Sequence, residues 1–214
     1  MVPRSAEIRA WARESLDGNW GKAVGATIIY LIAAMVIGSL NYIPFIGWIV
    51  ELLLAGPLAL GFYAFFLGVA RGEGLGVRAV FSGFERFVDA FLLCLLMGIF
   101  TFLWTLLFII PGIIAAFRYK MAYYILRDNP EIGPLEAISQ SKQMMKGHKW
   151  RLFVLYLTFI GWYILGSIPL GIGLLWVVPY ITTAEAHFYE DLRSRSAEVP
   201  PPPPPVPGSA AFTN

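Results

Sequence analysis

Residues 90–117 read AFLLCLLMGIFTFLWTLLFIIPGIIAAF, 28 consecutive positions without a Lys, Arg, Asp or Glu, with Pro111 and Gly112 near the far end. A helix needs about 20 apolar residues to cross the hydrocarbon core of a bilayer, so the stretch is long enough to cross, turn and start back. The Ile110-Pro111-Gly112 step is the expected turning point. Proline lacks an amide donor and restricts the residue before it, and glycine supplies the backbone freedom to reverse. The same design recurs on either side. Uncharged runs of 28, 19 and 33 residues separate Lys22 from Glu51, Glu51 from Arg71, and Arg151 from Glu185, and two further turns read Ile43-Pro44-Phe45-Ile46-Gly47 and Ile168-Pro169-Leu170-Gly171.

Working outward gives six candidate spans, at 22–42, 47–70, 88–110, 112–127, 151–168 and 172–191, paired as three helical hairpins. Each pair starts where an aromatic residue meets a basic one: Trp20 with Lys22, Phe87 with Arg86, and Trp150 with Lys149 and Arg151. The linkers correspond too, since Gly76 through Ser82 lies 57 residues ahead of Gly133 through Ser139. Turn, start and linker together describe a weak threefold repeat. The whole chain agrees: of 214 residues, 57% are hydrophobic and 14% charged, against about a quarter charged in soluble domains. The expected fold is all-α, a polytopic membrane bundle of three hairpins. Residues 1–21 form an N-terminal cytoplasmic interfacial helix, 22–192 the six-span domain, and 193–214 a disordered Pro-rich cytoplasmic tail.

Basic residues set the orientation. All 16 lie outside the three turns, in the N-terminal segment, the two linkers, the segment after span six, or the inner ends of spans. Positive residues stay on the cytoplasmic side, which places both termini inside. Residues 1–21 mix Arg4, Arg9 and Arg13 with Glu7, Glu14 and Asp17, unlike the basic start of a cleaved signal. Ile8, Trp11 and Leu16 give residues 5–17 one apolar side, and Val77, Val80, Phe81 and Phe84 do the same for the first linker, as interfacial helices require. In the second linker Lys142, Lys146, Lys149 and Arg151 are candidates for anionic lipid headgroups, at about 1 kcal/mol each near the surface. The tail from Pro200 to Pro205, with Pro207, is a polyproline II rod that serves as a spacer or docks to a polyproline-reading domain.

Ionisable residues inside spans mark a partner or a pathway. Five occur: Glu51, Arg118, Lys120, Glu185 and His187. At 1.5 Å per residue Arg118 lies about 13 Å from the inner end of its span and Glu185 about 12 Å, with Lys120 and His187 nearby at about 10 and 9 Å. Equal depth predicts an Arg118–Glu185 ion pair joining the second and third hairpins, with Glu51 as the alternative partner of Arg118. Enzyme signatures such as HExxH, a P-loop, GxSxG or CxxC do not occur. One cysteine, Cys94, and two histidines, His148 and His187, give no metal site, and a net charge of +2 gives no nucleic-acid footprint. No cofactor is expected.

Several phrases resemble a bacterial family of integral membrane proteins known as domain of unknown function nine-seven-five. They are Gly18-Asn19-Trp20-Gly21-Lys22-Ala23, Pro111-Gly112-Ile113-Ile114 followed by Tyr119, Met121, Tyr124 and Asp128-Asn129-Pro130, and Met145-Lys146-Gly147-His148-Lys149-Trp150. Phe159-Ile160-Gly161-Trp162 and the run from Leu170 to Tyr180 extend the likeness, which covers about residues 7–192. The resemblance implies a six-span protein of the bacterial cytoplasmic membrane and supplies no catalytic residue. The functional expectation is a noncatalytic membrane module that contacts the lipid bilayer or membrane-protein partners; the alternative is a small-solute transporter or channel component.

Overall fold

A computed structural model describes residues 2–42 and 46–198. The Pro-rich segment with Pro200, Pro205 and Pro207, and the Ile43-Pro44-Phe45 step of the first turn, lie outside the described residues. The described chain is helical throughout, with no strand. Ten α-helices follow in order: α1 Ser5–Leu16, α2 Trp20–Ser39, α3 Ile46–Ala70, α4 Phe87–Leu107, α5 Ile109–Tyr119, α6 Ala122–Asp128, α7 Pro134–Met144, α8 Lys149–Leu157, α9 Ile160–Ser167 and α10 Leu174–Glu198. Two 3-10 segments, Leu40–Tyr42 and Val77–Arg86, complete the set. Five stretches are long and apolar enough to cross a membrane: Trp20–Tyr42, Gly47–Ala70, Val77–Leu107, Ile109–Asp128 and Lys149–Ser167.

The helices divide into a centre and a surround. The most apolar window of Gly47–Ala70 is 67% buried, against 17% for Trp20–Tyr42, so α3 is central and α2 peripheral. Helix α6 is buried along its length from Ala122 to Leu126, and α10 is buried from Val177 through Tyr189 except at Val178 and His187. These helices share an aromatic core, in which Tyr63 of α3 meets Tyr124 of α6 edge to face at 5.3 Å and Tyr124 stacks on Tyr189 of α10 at 5.3 Å. Aromatic pairs of this geometry add about 0.5–1.5 kcal/mol beyond the area they bury. The surround carries the opposite signature. Ile32, Met35 and Val36 of α2, Phe102, Leu103 and Leu106 of α4, and Ile164 and Leu165 of α9 are all exposed. So continuous an apolar surface requires a nonaqueous neighbour.

Several boundaries differ from the sequence reading, each for a local reason. The reversal between α4 and α5 pivots on Phe108, which is extended (φ −161, ψ 149), while Pro111 and Gly112 lie inside α5. Proline is tolerated there because the first-turn amides of a helix have no intrahelical acceptor. Gly112 then allows α5 to lie against Thr105 of α4, where a Cβ would fall 2.1 Å from the Thr105 hydroxyl. The Ile168-Pro169-Leu170-Gly171 turn is in place between α9 and α10, with Leu170 and Gly171 at φ 52 and 82. The fourth span is broken into α5 and α6 at Lys120–Met121, and the fifth into α8 and α9 at Thr158–Phe159.

The two segments read as interfacial helices are docked on protein. In α1 the stripe Ile8, Ala12 and Leu16, each no more than 2% exposed, packs against α10, while Trp11 is turned outward. The first linker is a 3-10 helix, whose three-residue turn stacks Val77, Val80 and Gly83 on one side. That side presses on α3 backbone to backbone. A Cβ on Gly61 would lie 1.9 Å from the Val80 carbonyl oxygen, and one on Gly83 would lie 2.0 Å from that of Pro57. Neither carbonyl can move without shifting its helix. Gly61→Ala or Gly83→Ala should therefore cost about 1–3 kcal/mol, typical of overpacking. Gly98→Ala, where nothing lies within 4 Å, should leave stability unchanged or raised. Thermal unfolding of the detergent-solubilised protein, followed by size-exclusion chromatography, checks both.

Candidate functional site

The break between α5 and α6 places Lys120 where helices α3, α8 and α10 converge. Its Nζ lies 3.3 Å from Glu185 Oε2 and donates to the Tyr63 hydroxyl at 3.2 Å. The ammonium also lies over two aromatic faces, 5.4 Å from the ring centre of Tyr63 and 5.7 Å from that of Tyr156. Tyr156 donates its hydroxyl to Glu185 Oε1. Glu185 is 4% exposed, and its Oε2 has no hydrogen bond, so attraction to Lys120 is what compensates that oxygen for lost water. One turn away, the Tyr124 hydroxyl donates to the Thr182 carbonyl at 3.4 Å. The arrangement is a neutral ion pair wrapped by tyrosines from three helices.

Beside it, the ends of α3, α6 and α10 are clamped by charge. Arg71, just past α3, makes a two-pronged contact with Asp128 at the end of α6 (2.8 and 2.6 Å) and donates to Glu190 of α10 (2.9 and 2.5 Å). Asp128 also accepts from the Tyr189 hydroxyl at 2.9 Å and faces Arg193 at 3.3 Å. Glu73 pairs with Arg127 at 2.6 Å. The hydrogen bond to Asp128, then that to Glu190, pushes the Arg71 pKa up, so this guanidinium stays charged at any accessible pH. Arg86 closes α6 by donating to the carbonyls of Leu126 (2.5 Å) and Ile132 (3.2 Å). Asp191 joins Arg151 of α8 (2.9 Å) to Arg195 (2.8 Å).

The sequence-predicted residues are distributed differently from the expectation. Glu185 is paired with Lys120, and the Arg118 side chain has no ion pair among the described residues. The two cations are two residues apart on nearly equal depth, but about 200° apart around a helix, so only one can face α10. Glu51 lies near the other end of α3, accepting from Asn41 at 2.6 Å, about 18 Å along the helix from Tyr63. His187 is turned toward α1, 2.8 Å from the Ser15 hydroxyl. The four cations of the second linker have separate contacts. Lys142 lies over Phe100 and Tyr119 at 5.5 and 5.6 Å, Arg151 is held by Asp191 and the Pro3 carbonyl, Lys146 is exposed, and Lys149 borders a groove with Trp150 and Ile110.

Sequence reasoning missed Tyr63, Tyr124, Tyr156, Arg71, Asp128 and Glu190. A signal for two contacts was present. Tyr63 with Lys120 and Arg71 with Asp128 are each 57 residues apart, the interval that separates the two linkers.

A family model described as Protein of unknown function (DUF975) matches residues 1–115 and 105–196. The chain belongs to the DUF975 family. No curated protein and no solved structure matches it. The DUF975 match spans every residue of the Lys120–Glu185 cluster and of the clamp around Arg71.

Removing one member of a buried ion pair strands the other in low dielectric, whereas removing both does not. Lys120→Met and Glu185→Leu should each destabilise the protein strongly, and the double variant should recover about 1–3 kcal/mol relative to the sum. Arg118→Ala should be close to silent. Unfolding midpoints of the four variants in one detergent decide this, and additivity of the two single losses would remove the coupling.

Proposed function

We propose that this DUF975 protein is a noncatalytic module of the bacterial cytoplasmic membrane that crosses it six times as three hairpins, keeps both termini inside, and contacts lipids or membrane-protein partners. The observation that carries the reading is the fate of the charges within the bundle. Lys120 and Glu185 neutralise each other under tyrosine cover, while the outward sides of α2, α4 and α9 are apolar and exposed. A helix of 25 residues is about 37 Å long, so α10 can serve as the sixth crossing. It falls short on hydropathy because its inner end carries Glu190, Asp191, Arg193 and Arg195, and its one deep carboxylate is paired. The charged clamps sit where the basic residues place the cytoplasmic side. The Pro-rich tail, on this reading, is a cytoplasmic tether.

The second reading, a small-solute transporter or channel component, is favoured by one feature. Two of the helices at the ion pair carry a proline in their interior, α3 at Pro57 and α10 at Pro179, and helices weakened or opened at such points line substrate paths in transporters. The two readings differ in whether water reaches Glu185. In a Cys94→Ala background, Ala184→Cys and Ala186→Cys should stay unmodified by a membrane-impermeant thiol reagent applied from either side. Modification from one or both sides would favour the transport reading. Reporter fusions at Pro111 and Pro169 should report the outer side, and at Gly76 and Gly147 the inner side; the reverse would sink the topology.

A further inference from the structure

We infer that the cavity between α1, α2, α9 and α10 binds a single anionic glycerophospholipid, its phosphate at Arg13 and its acyl chains across the surrounding aromatic rings. The cavity holds about 400 Å³ and is lined by Arg13, Trp20, Trp162, Trp176, Val177 and Tyr180. Three tryptophans around one guanidinium form an amphipathic lining, apolar in its walls and cationic at its mouth, which matches the apolar chains and the phosphate of a lipid. The cation is displayed rather than consumed. Arg13 has no carboxylate partner among the described residues; its guanidinium lies 5.9 Å from the Tyr180 ring centre and 3.5 Å from the Tyr180 hydroxyl.

A second guanidinium stands one turn away on the same helix. Arg9 also has no ion pair among the described residues, its Nε is buried without a hydrogen bond, and its carbonyl accepts from Tyr180 at 3.2 Å. No acidic residue lines the cavity. A site lined by an unpaired cation and no acidic side chain favours a headgroup of net negative charge over a zwitterionic one, and two arginines without a carboxylate in ion-pair contact make phosphate the fitting anion. Trp162 and Trp176 are about half exposed, and Ile164 and Leu165 of α9 and Ile172 just before α10 are exposed as well, so acyl chains leaving the cavity run onto an apolar surface. Docking of α1 on α10 builds the site.

The inference rests on the membrane reading above, and one experiment separates the two. In the full chain, Trp11, Trp48, Trp104 and Trp150 are replaced by Phe, leaving the three cavity tryptophans. The protein is reconstituted into vesicles of equal phosphatidylglycerol and phosphatidylcholine, with bromine on the acyl chains of one lipid or the other. Phosphatidylglycerol should be enriched at the tryptophans by about fivefold, the expectation for one basic contact near the surface, and its brominated form should quench correspondingly more. Arg13→Ala should equalise the two lipids, and Arg78→Ala, on the 3-10 segment, should not. Equal quenching in the parent, or a preference that survives Arg13→Ala, would overturn the lipid site and leave the membrane reading standing. Abolition of the preference by millimolar inorganic phosphate would overturn a lipid as the occupant. Absence of quenching by either lipid would overturn the membrane reading as well.

Discussion

A carboxylate carried into the middle of an apolar bundle constrains everything packed around it. Glu185 is on the most centrally placed stretch of α10, and an isolated carboxylate there would be too costly to keep ionised. The chain meets the constraint with a lysine. The junction of α5 and α6 falls at Lys120–Met121, and Lys120, still in helical conformation, carries its ammonium to Glu185. Tyr63 and Tyr156 then satisfy the remaining polar atoms from α3 and α8 while adding apolar area. Four separate helices are thereby fixed to one another through a single pair of charges.

The sequence carried the class of the fold plainly, because class depends on counts along the chain. Uncharged runs marked the helices long and apolar enough to cross a membrane, and the Ile-Pro-Leu-Gly step marked the last turn. What depends on angle around a helix was not legible. Depth alone matched Arg118 to Glu185, and the 100° step between neighbouring residues assigns the partner to Lys120 instead. Breaks were hidden for a related reason: neither Lys120–Met121 nor Thr158–Phe159 contains a glycine or proline, so they are set by what the flanking residues contact. Amphipathic segments told that a face is buried without telling against what. Residues 5–17 and 77–86 bury theirs on α10 and α3.

Two contacts of the core join positions 57 apart, Tyr63 to Lys120 and Arg71 to Asp128, the interval that also separates the two linkers. Their neighbours follow no single interval: Glu73 and Arg127 are 54 apart, Asp128 and Tyr189 61, and Lys120 and Glu185 65. The central ion pair is therefore set by the packing of its own helices and not by a repeated spacing.

Cations that set topology need not be the ones that meet lipid. Arg71, Arg127 and Arg151 are occupied by carboxylates, and Arg86 by Asp89 and by helix-end carbonyls. A guanidinium already sharing its donors with Asp or Glu has less to offer a phosphate, and its charge is largely cancelled at a Debye length of about 8 Å. Within the second linker only Arg151 is paired with a carboxylate; Lys142 lies over two aromatic rings, and Lys146 and Lys149 have no ion pair among the described residues. Arg9 and Arg13 of α1 have no carboxylate partner among the described residues, and the docking of α1 on α10 holds Arg13 at the mouth of an aromatic cavity with Arg9 one turn away. The cavity at Arg13 therefore places a lipid contact in a segment whose net charge is near zero, in addition to the cations of the second linker.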